Sequence, residues 1–180
     1  MKSLTLLRHA KSDWSDASQR DFDRPINERG QRGAKLIGSY LKREAMAFDA
    51  VVASPAVRVV ETIDLLEQGY GTSLKPDWDR RIYLASSVTL IDLLSGLDDA
   101  ADRVLMVGHN PGLEDLIFDL VPDDGTSPLR DEVEIKFPTA ALAVLELDID
   151  SWKDIDNRCA RLVSLMRPRD LDPALGPQMD

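Results

Sequence analysis

Cysteine is almost missing from this chain. The single Cys159 cannot close an internal disulfide. With only two histidines beside it, no close His/Cys/carboxylate spacing supplies the three protein ligands of a catalytic zinc site. No metal and no cofactor are expected. Long apolar runs are missing as well: the stretches 104–107 and 139–145 are strand-sized, far below the roughly 20 residues of a spanning helix. No basic-flanked apolar leader opens the sequence, so a cytoplasmic protein with no membrane partner is expected. Basic residues are in deficit, 22 Lys and Arg against 32 Asp and Glu for a net charge of -10. That balance argues against the basic face a nucleic acid requires, yet leaves room for a small anion held by a few buried arginines.

The 180 residues suit a single domain with its own core. Its expected extent is 1–166, with 167–180, holding Pro168, Pro173 and Pro177, as an extended or flexible C-terminal tail. Apolar runs at 3–7, 48–53 and 104–107 read as buried strands, each followed by a loop and a helical pattern. Asn27 is placed to cap a helix to about residue 45. Ser54-Pro55 and Asn110-Pro111 pair a capping residue with a proline at the first helical position, opening helices to about 68 and 120. Ser87 is placed to cap a further helix to about 97. Repeated strand-loop-helix units predict a three-layer α/β/α sandwich with a mainly parallel central sheet. Segments 132–137, 140–149 and 161–166 read as strands that extend it, some antiparallel.

Both histidines sit where an apolar run ends in a turn, His9 after Leu4-Thr5-Leu6-Leu7-Arg8 and His109 in Gly108-His109-Asn110-Pro111-Gly112. In α/β proteins the mouths of such strands are where ligands are held. A cation beside an imidazole disfavours the imidazolium, so Arg8 helps keep His9 neutral and able to attack phosphorus. The bland alternative is a surface arginine beside a hydrogen-bonded loop histidine. Arg58, in the first turn after a strand, can join its guanidinium to free backbone N–H groups around one oxyanion, with Thr62 on the same face. A lone helical arginine is more often a solvated one. His109 flanked by glycines reads as a crevice residue or as a buried structural one.

Leu7-Arg8-His9-Ala10, Ser54-Pro55-Ala56-Val57-Arg58 with Thr62, and Gly108-His109-Asn110-Pro111 occur in the order of the histidine phosphatase superfamily, and the chain resembles that phosphoglycerate-mutase-like family. Asp23-Arg24-Pro25-Ile26-Asn27-Glu28-Arg29-Gly30 and Val107-Gly108-His109-Asn110-Pro111-Gly112-Leu113-Glu114 are most similar to its SixA-type phosphohistidine phosphatases. The resemblance implies a metal-independent phosphoenzyme mechanism. His9 is then the nucleophile, Arg8 and Arg58 hold the phosphoryl group, and His109 is a transition-state clamp or proton donor. Lys11, Ser15, Arg24 and Asn110, polar residues on the surrounding loops, are expected to contact substrate.

The mutase-like branch places a glutamate acid between the second and third motifs, and here Arg80 falls at that point. Acid phosphatase relatives have an aspartate after the second histidine, where this chain has Asn110. Asp13, Asp77 and Asp79 are the carboxylates nearest the motifs, and each reads as a solvated loop charge. Without a strong acid, an alkoxide leaves poorly, whereas imidazole leaves phosphohistidine neutral once its other nitrogen, of pKa about 6.5, is protonated. The expected partner is therefore a phosphorylated protein such as a histidine phosphotransfer domain. A small phosphate ester, or phosphate binding without turnover, is the alternative. No large insertion lies between Ala53 and Gly108 to cap the pocket.

Overall fold

The computed structural model describes residues 1–176. Along the chain run β1 (Lys2–Arg8), α1 (Glu28–Arg43), β2 (Ala50–Ala53), α2 (Val57–Tyr70), β3 (Asp77–Trp78), α3 (Ser87–Ser95), β4 (Arg103–Gly108), α4 (Gly112–Leu120), α5 (Pro128–Ile135), β5 (Leu142–Leu147), β6 (Ala160–Met166) and α6 (Pro168–Leu171). The strands form one sheet in the order β3-β2-β4-β1-β5-β6. Neighbours from β3 to β1 are parallel, and β5 runs antiparallel to both β1 and β6. This is the expected α/β/α sandwich around a mainly parallel sheet.

Period-two alternation along each central strand feeds both sides of the sheet. Leu4 and Leu6 of β1, Val104 and Met106 of β4 and Ala143 and Leu145 of β5 face the core under α3, α4 and α5. Leu7, Leu105, Val107, Val51 and Ala53 face the opposite core under α1 and α2. Those two helices pack backbone to backbone. A Cβ on Gly38 would lie 2.1 Å from the Leu66 carbonyl, and one on Gly69 2.1 Å from the Lys35 carbonyl, so neither position has room for a side chain. Among the described residues no helix is long and apolar enough to cross a membrane.

Several expected boundaries differ. Asn27 does cap α1, accepting from the Gly30 N–H at 2.8 Å. Ser54 does not cap α2, which begins at Val57 after Ala56; its hydroxyl accepts instead from the Ala56 N–H at 3.3 Å, outside the helix, and from a histidine. Asn110 likewise does not cap α4: Pro111 stands at that position while the Asn110 amide donates to Glu114 and to the Phe137 carbonyl. Ser86, one residue before Ser87, caps α3. Of the expected strand at 132–137, residues 132–135 instead belong to helix α5. Its alternation of Val133, Ile135 and Phe137 does not mark one buried face: Val133 and Phe137 are buried but Ile135 between them is 86 % exposed. Ser127-Pro128 upstream supplies a helix cap, with the serine accepting from the Arg130 N–H.

The expected tail is not simply extended. Pro168–Leu171 and Pro173–Leu175 form two short helical turns beside α1, with Pro168 against Gly33 and Leu171 at the edge of that core. The rest of the expected tail, 177–180, lies outside the described residues.

Candidate active site

Three parallel neighbours, β2, β4 and β1, end side by side and deliver the site. The ladder continues past their last paired residues: the His9 N–H donates to the Gly108 carbonyl at 3.0 Å and the Ser54 N–H to the Val107 carbonyl at 3.1 Å. His9, Ser54 and His109 are thereby set on one ledge by backbone hydrogen bonds. All three are buried, and the imidazole centroids of His9 and His109 stand 5.3 Å apart. His9 Nδ1 lies 2.7 Å from the Ala10 carbonyl. A carbonyl only accepts, so Nδ1 carries the proton and Nε2 carries the lone pair. The Ala10 N–H in turn donates to Thr62 Oγ1, whose hydroxyl donates to the Arg58 carbonyl one turn back along α2.

His109 has the opposite tautomer. Its Nδ1 faces Arg58 Nη2 at 3.3 Å, and a guanidinium can only donate, so Nδ1 is the acceptor. Nε2 therefore holds the proton and donates it to Ser54 Oγ at 2.8 Å. Burial first, with the Arg8 and Arg58 charges and the neighbouring ring adding, holds His9 down at about 3. Burial and then Arg58 hold His109 at about 3 as well. Both rings are neutral near pH 7.

Arg58 is the hub of the site and almost wholly buried. Its Nη1 donates to the Asp21 carbonyl at 2.6 Å and its Nη2 reaches the Asp21 carboxylate at 3.1 Å. The same carboxylate receives Tyr83 Oη at 2.6 Å and pairs with Arg24 at 2.8 Å. Burial opposes its charge, but Tyr83, Arg58 and Arg24 together hold the Asp21 carboxyl at about 2. The Tyr83 ring stands edge-on to His109 at 5.4 Å. Its hydroxyl is pushed up by burial and by the bond to Asp21.

The opposite wall is the turn from Lys136 to Ala140. Arg8 donates to the Phe137 carbonyl at 3.2 Å, and the Ala140 N–H reaches the His9 carbonyl at 3.0 Å. Arg8 and Arg58 keep buried Nε–H groups with no partner among the described residues, donors suited to an incoming oxyanion. The whole forms an open cleft of about 600 Å³. Among the described residues no group of three His, Cys, Asp or Glu side chains is arranged to hold a metal ion.

Arg8, His9, Arg58 and His109 meet in this cleft as the sequence led us to expect. Lys11, Arg24 and Asn110 line it too. Arg24 stacks on Trp14, its guanidinium carbon 3.6 Å from a ring centroid, and the Asn110 amide is spent on Glu114 and Phe137. Ser15 does not reach the cleft: it is exposed, its N–H held by Asp13, and it borders a separate surface hollow with Asn27 and Arg32. Arg80 is exposed over Phe22 and outside the cleft. Asp21, Tyr83 and Ser54's bond to His109 were missed. The spacing of Asp21 three residues before Arg24 was the one available signal for the first.

The model of the histidine phosphatase superfamily (branch 1) matches residues 4–81, which carry His9 and Arg58. An uncharacterised Mycobacterium tuberculosis protein is 34% identical over 164 residues, covering 91% of this chain and 100% of the relative. A solved structure of a candidate phosphohistidine phosphatase SixA from Nakamurella multipartitia matches with TM-score 0.80 at 28% identity, over 93% of this chain and 96% of that one. The chain belongs to the histidine phosphatase superfamily. Within the superfamily its fold is SixA-like: a second candidate SixA, from Agrobacterium tumefaciens, matches with TM-score 0.77 at 28% identity, over 93% of this chain and 98% of that one. For a histidine phosphatase superfamily member, two neutral imidazoles with opposite tautomers between two guanidiniums form a cradle for a tetrahedral oxyanion.

Proposed function

We propose that this chain is a cytoplasmic phosphatase that hydrolyses phosphohistidine in a protein through a covalent intermediate on His9. The observation that carries the reading is the bond from His9 Nδ1–H to the Ala10 carbonyl. It leaves Nε2 as the nitrogen free to attack. In the first step the Nε2 lone pair forms the N–P bond while the substrate's own N–P bond breaks, and the departing imidazole keeps that electron pair. That ring leaves neutral when its other nitrogen is protonated. In the second step water attacks phosphorus, gives up a proton to solvent or phosphate, and the His9–P bond breaks.

The same Ala10 contact serves the second step. A proton held on Nδ1 makes phosphorylated His9 a phosphoimidazolium, so the ring departs as neutral imidazole. Arg8 and Arg58 hold the equatorial oxygens, with His109 Nδ1 steadying Arg58, and phosphoryl transfer depends chiefly on such positioning and charge stabilisation. The substrate class is supported by the groups beside the two rings: Asp21 is ionised, and His109 gives its one hydrogen bond to Ser54, so neither is a free acid. A leaving group that brings its own proton suits this cleft better than an alkoxide.

The test is turnover of a phosphohistidine protein beside a panel of sugar and nucleotide phosphates. His9→Ala must abolish turnover, and wild type must yield an acid-labile phosphoryl adduct on His9. Labelling of His109, full activity in His9→Ala, or rates on sugar phosphates above those on phosphohistidine would overturn the reading.

A further inference from the structure

A second cavity lies against the active cleft, on the far side of the turn from Lys136 to Ala140. It measures about 100 Å³, room for a carboxylate-sized group, and five basic residues, Lys11, Arg29, Lys136, Arg167 and Arg169, line it with no carboxylate among the lining residues. On a chain of net charge -10 that concentration is against the average. Arg167 is paired with Asp170 and Glu132, and Arg29 donates to the Gly176 carbonyl. Lys11, Lys136 and Arg169 have no carboxylate partner among the described residues. Lys11, Lys136, Pro138 and Thr139 line both cavities, and Ala140 of the same turn is hydrogen-bonded to the His9 carbonyl. The two hollows therefore adjoin across a shared wall, one of them holding His9.

We infer that this second cavity is an anion subsite that receives an acidic side chain of the substrate protein lying next to its phosphohistidine. The inference rests on the proposed phosphohistidine activity and deepens it. An acidic enzyme repels an acidic partner at long range, and a local basic lobe beside the reactive ring reverses that sign where the two surfaces meet. Gly33, Pro168 and Leu175 of the lining are uncharged, so a carboxylate there meets Lys11, Lys136 and Arg169, which no protein carboxylate pairs with among the described residues. The short helical turn at Pro168–Leu171 carries Arg169 into place and gives the C-terminal segment a role beyond covering α1.

The experiment uses two phosphohistidine peptides identical except that the residues flanking the phosphohistidine are Glu in one and Gln in the other. Binding is measured on the His9→Ala protein, where the phosphoryl group is not removed, and turnover on wild type. The acidic peptide is expected to bind roughly five-fold more tightly, the size of one or two half-exposed ion pairs, and its advantage should shrink in high salt. Arg169→Glu combined with Lys136→Glu should abolish or invert the preference. Arg169→Ala alone, a milder change at a partly exposed position, should roughly halve it.

Equal binding of the two peptides, or a preference that survives both charge reversals, overturns the subsite. A preference seen only for a small bisphosphate over its monophosphate counterpart, and not between the peptides, overturns the assignment to a protein carboxylate. Failure of wild type to turn over either peptide overturns the phosphohistidine reading instead. The binding arm still decides the subsite in that case.

Discussion

Asp21 holds Arg58, Arg24 and Tyr83 with one carboxylate, so an incoming phosphoryl dianion must share Arg58 with an anion already in place. Asp21→Asn removes that charge while keeping the side chain's size, and the backbone carbonyl of residue 21 still accepts from Arg58 Nη1. A carboxylate and a dianion on two sides of one guanidinium are roughly 6 Å apart, and in a water-like medium repel by about 1.4 kcal/mol. The Asp21 side chain is 45 % exposed, so the water-like limit applies and salt lowers it further. About 1 kcal/mol remains, a factor of roughly five. Inorganic phosphate, assayed as a competitive inhibitor of aryl phosphate hydrolysis at low salt, should therefore inhibit Asp21→Asn about five-fold more tightly than wild type. The gap should narrow toward 0.5 M salt. Because the carboxyl is held at about 2, the gap should also be constant from pH 5 to 8 once phosphate's own ionisation is corrected. Weaker inhibition in the variant would mean that Asp21 acts mainly by orienting Arg58, and the charge argument would be refuted.

Ser54→Ala strips the acceptor from the buried His109 Nε2–H, which should cost about 1–3 kcal/mol of stability and lower kcat/KM about ten-fold; unchanged kinetics would deny Ser54 a part in holding the ring. Nitrogen NMR at pH 6.5 should find both imidazoles neutral, His9 protonated on Nδ1 and His109 on Nε2, and identical tautomers would contradict the hydrogen bonding described. Both rings sit at about 3 when folded against about 6.5 when unfolded, so the unfolded chain binds the extra protons, and stability should fall as pH drops from 6.5 toward 3, by at most about 1.4 kcal/mol per pH unit for each ring. A flat denaturation midpoint across that window would sink the assignment. Gly38→Ala should cost about 1–3 kcal/mol by forcing α1 off the Leu66 carbonyl, with KM unchanged at temperatures where the protein stays folded.

The candidate constellation was legible because it is written in short contiguous strings at strand ends. Leu7-Arg8-His9 and Gly108-His109 end β1 and β4, adjacent parallel strands in register, so strand pairing alone brings the two rings together. What the sequence hid was whatever depends on a side chain crossing between elements. Asp21 meets Tyr83 across 62 positions, and no local pattern records that pairing. Ser54 reads as a cap because Ser-Pro is a sound helix-opening signal, but its hydroxyl accepts from the Ala56 N–H just before α2 and from buried His109, a partner 55 positions away. At Ser127-Pro128 the capping signal outweighs the short alternation of Val133, Ile135 and Phe137, whose middle residue is exposed on helix α5.

The protonation states in the cleft bear on chemistry more than its shape does. Tyr83 gives its proton to Asp21, Asp21 is ionised, and each histidine has one proton already committed, to Ala10 or to Ser54. Among His9, His109, Asp21 and Tyr83, none is thus a free acid aimed at a leaving group. Burial is the largest cause holding both rings neutral, whereas Asp21 stays ionised against burial through Tyr83, Arg58 and Arg24. A site built this way gains a nucleophile that stays neutral beside two guanidiniums and loses the donor an alkoxide needs. Under the proposed mechanism, the same desolvation that keeps His9 neutral favours phosphoryl donors whose leaving group brings its own proton.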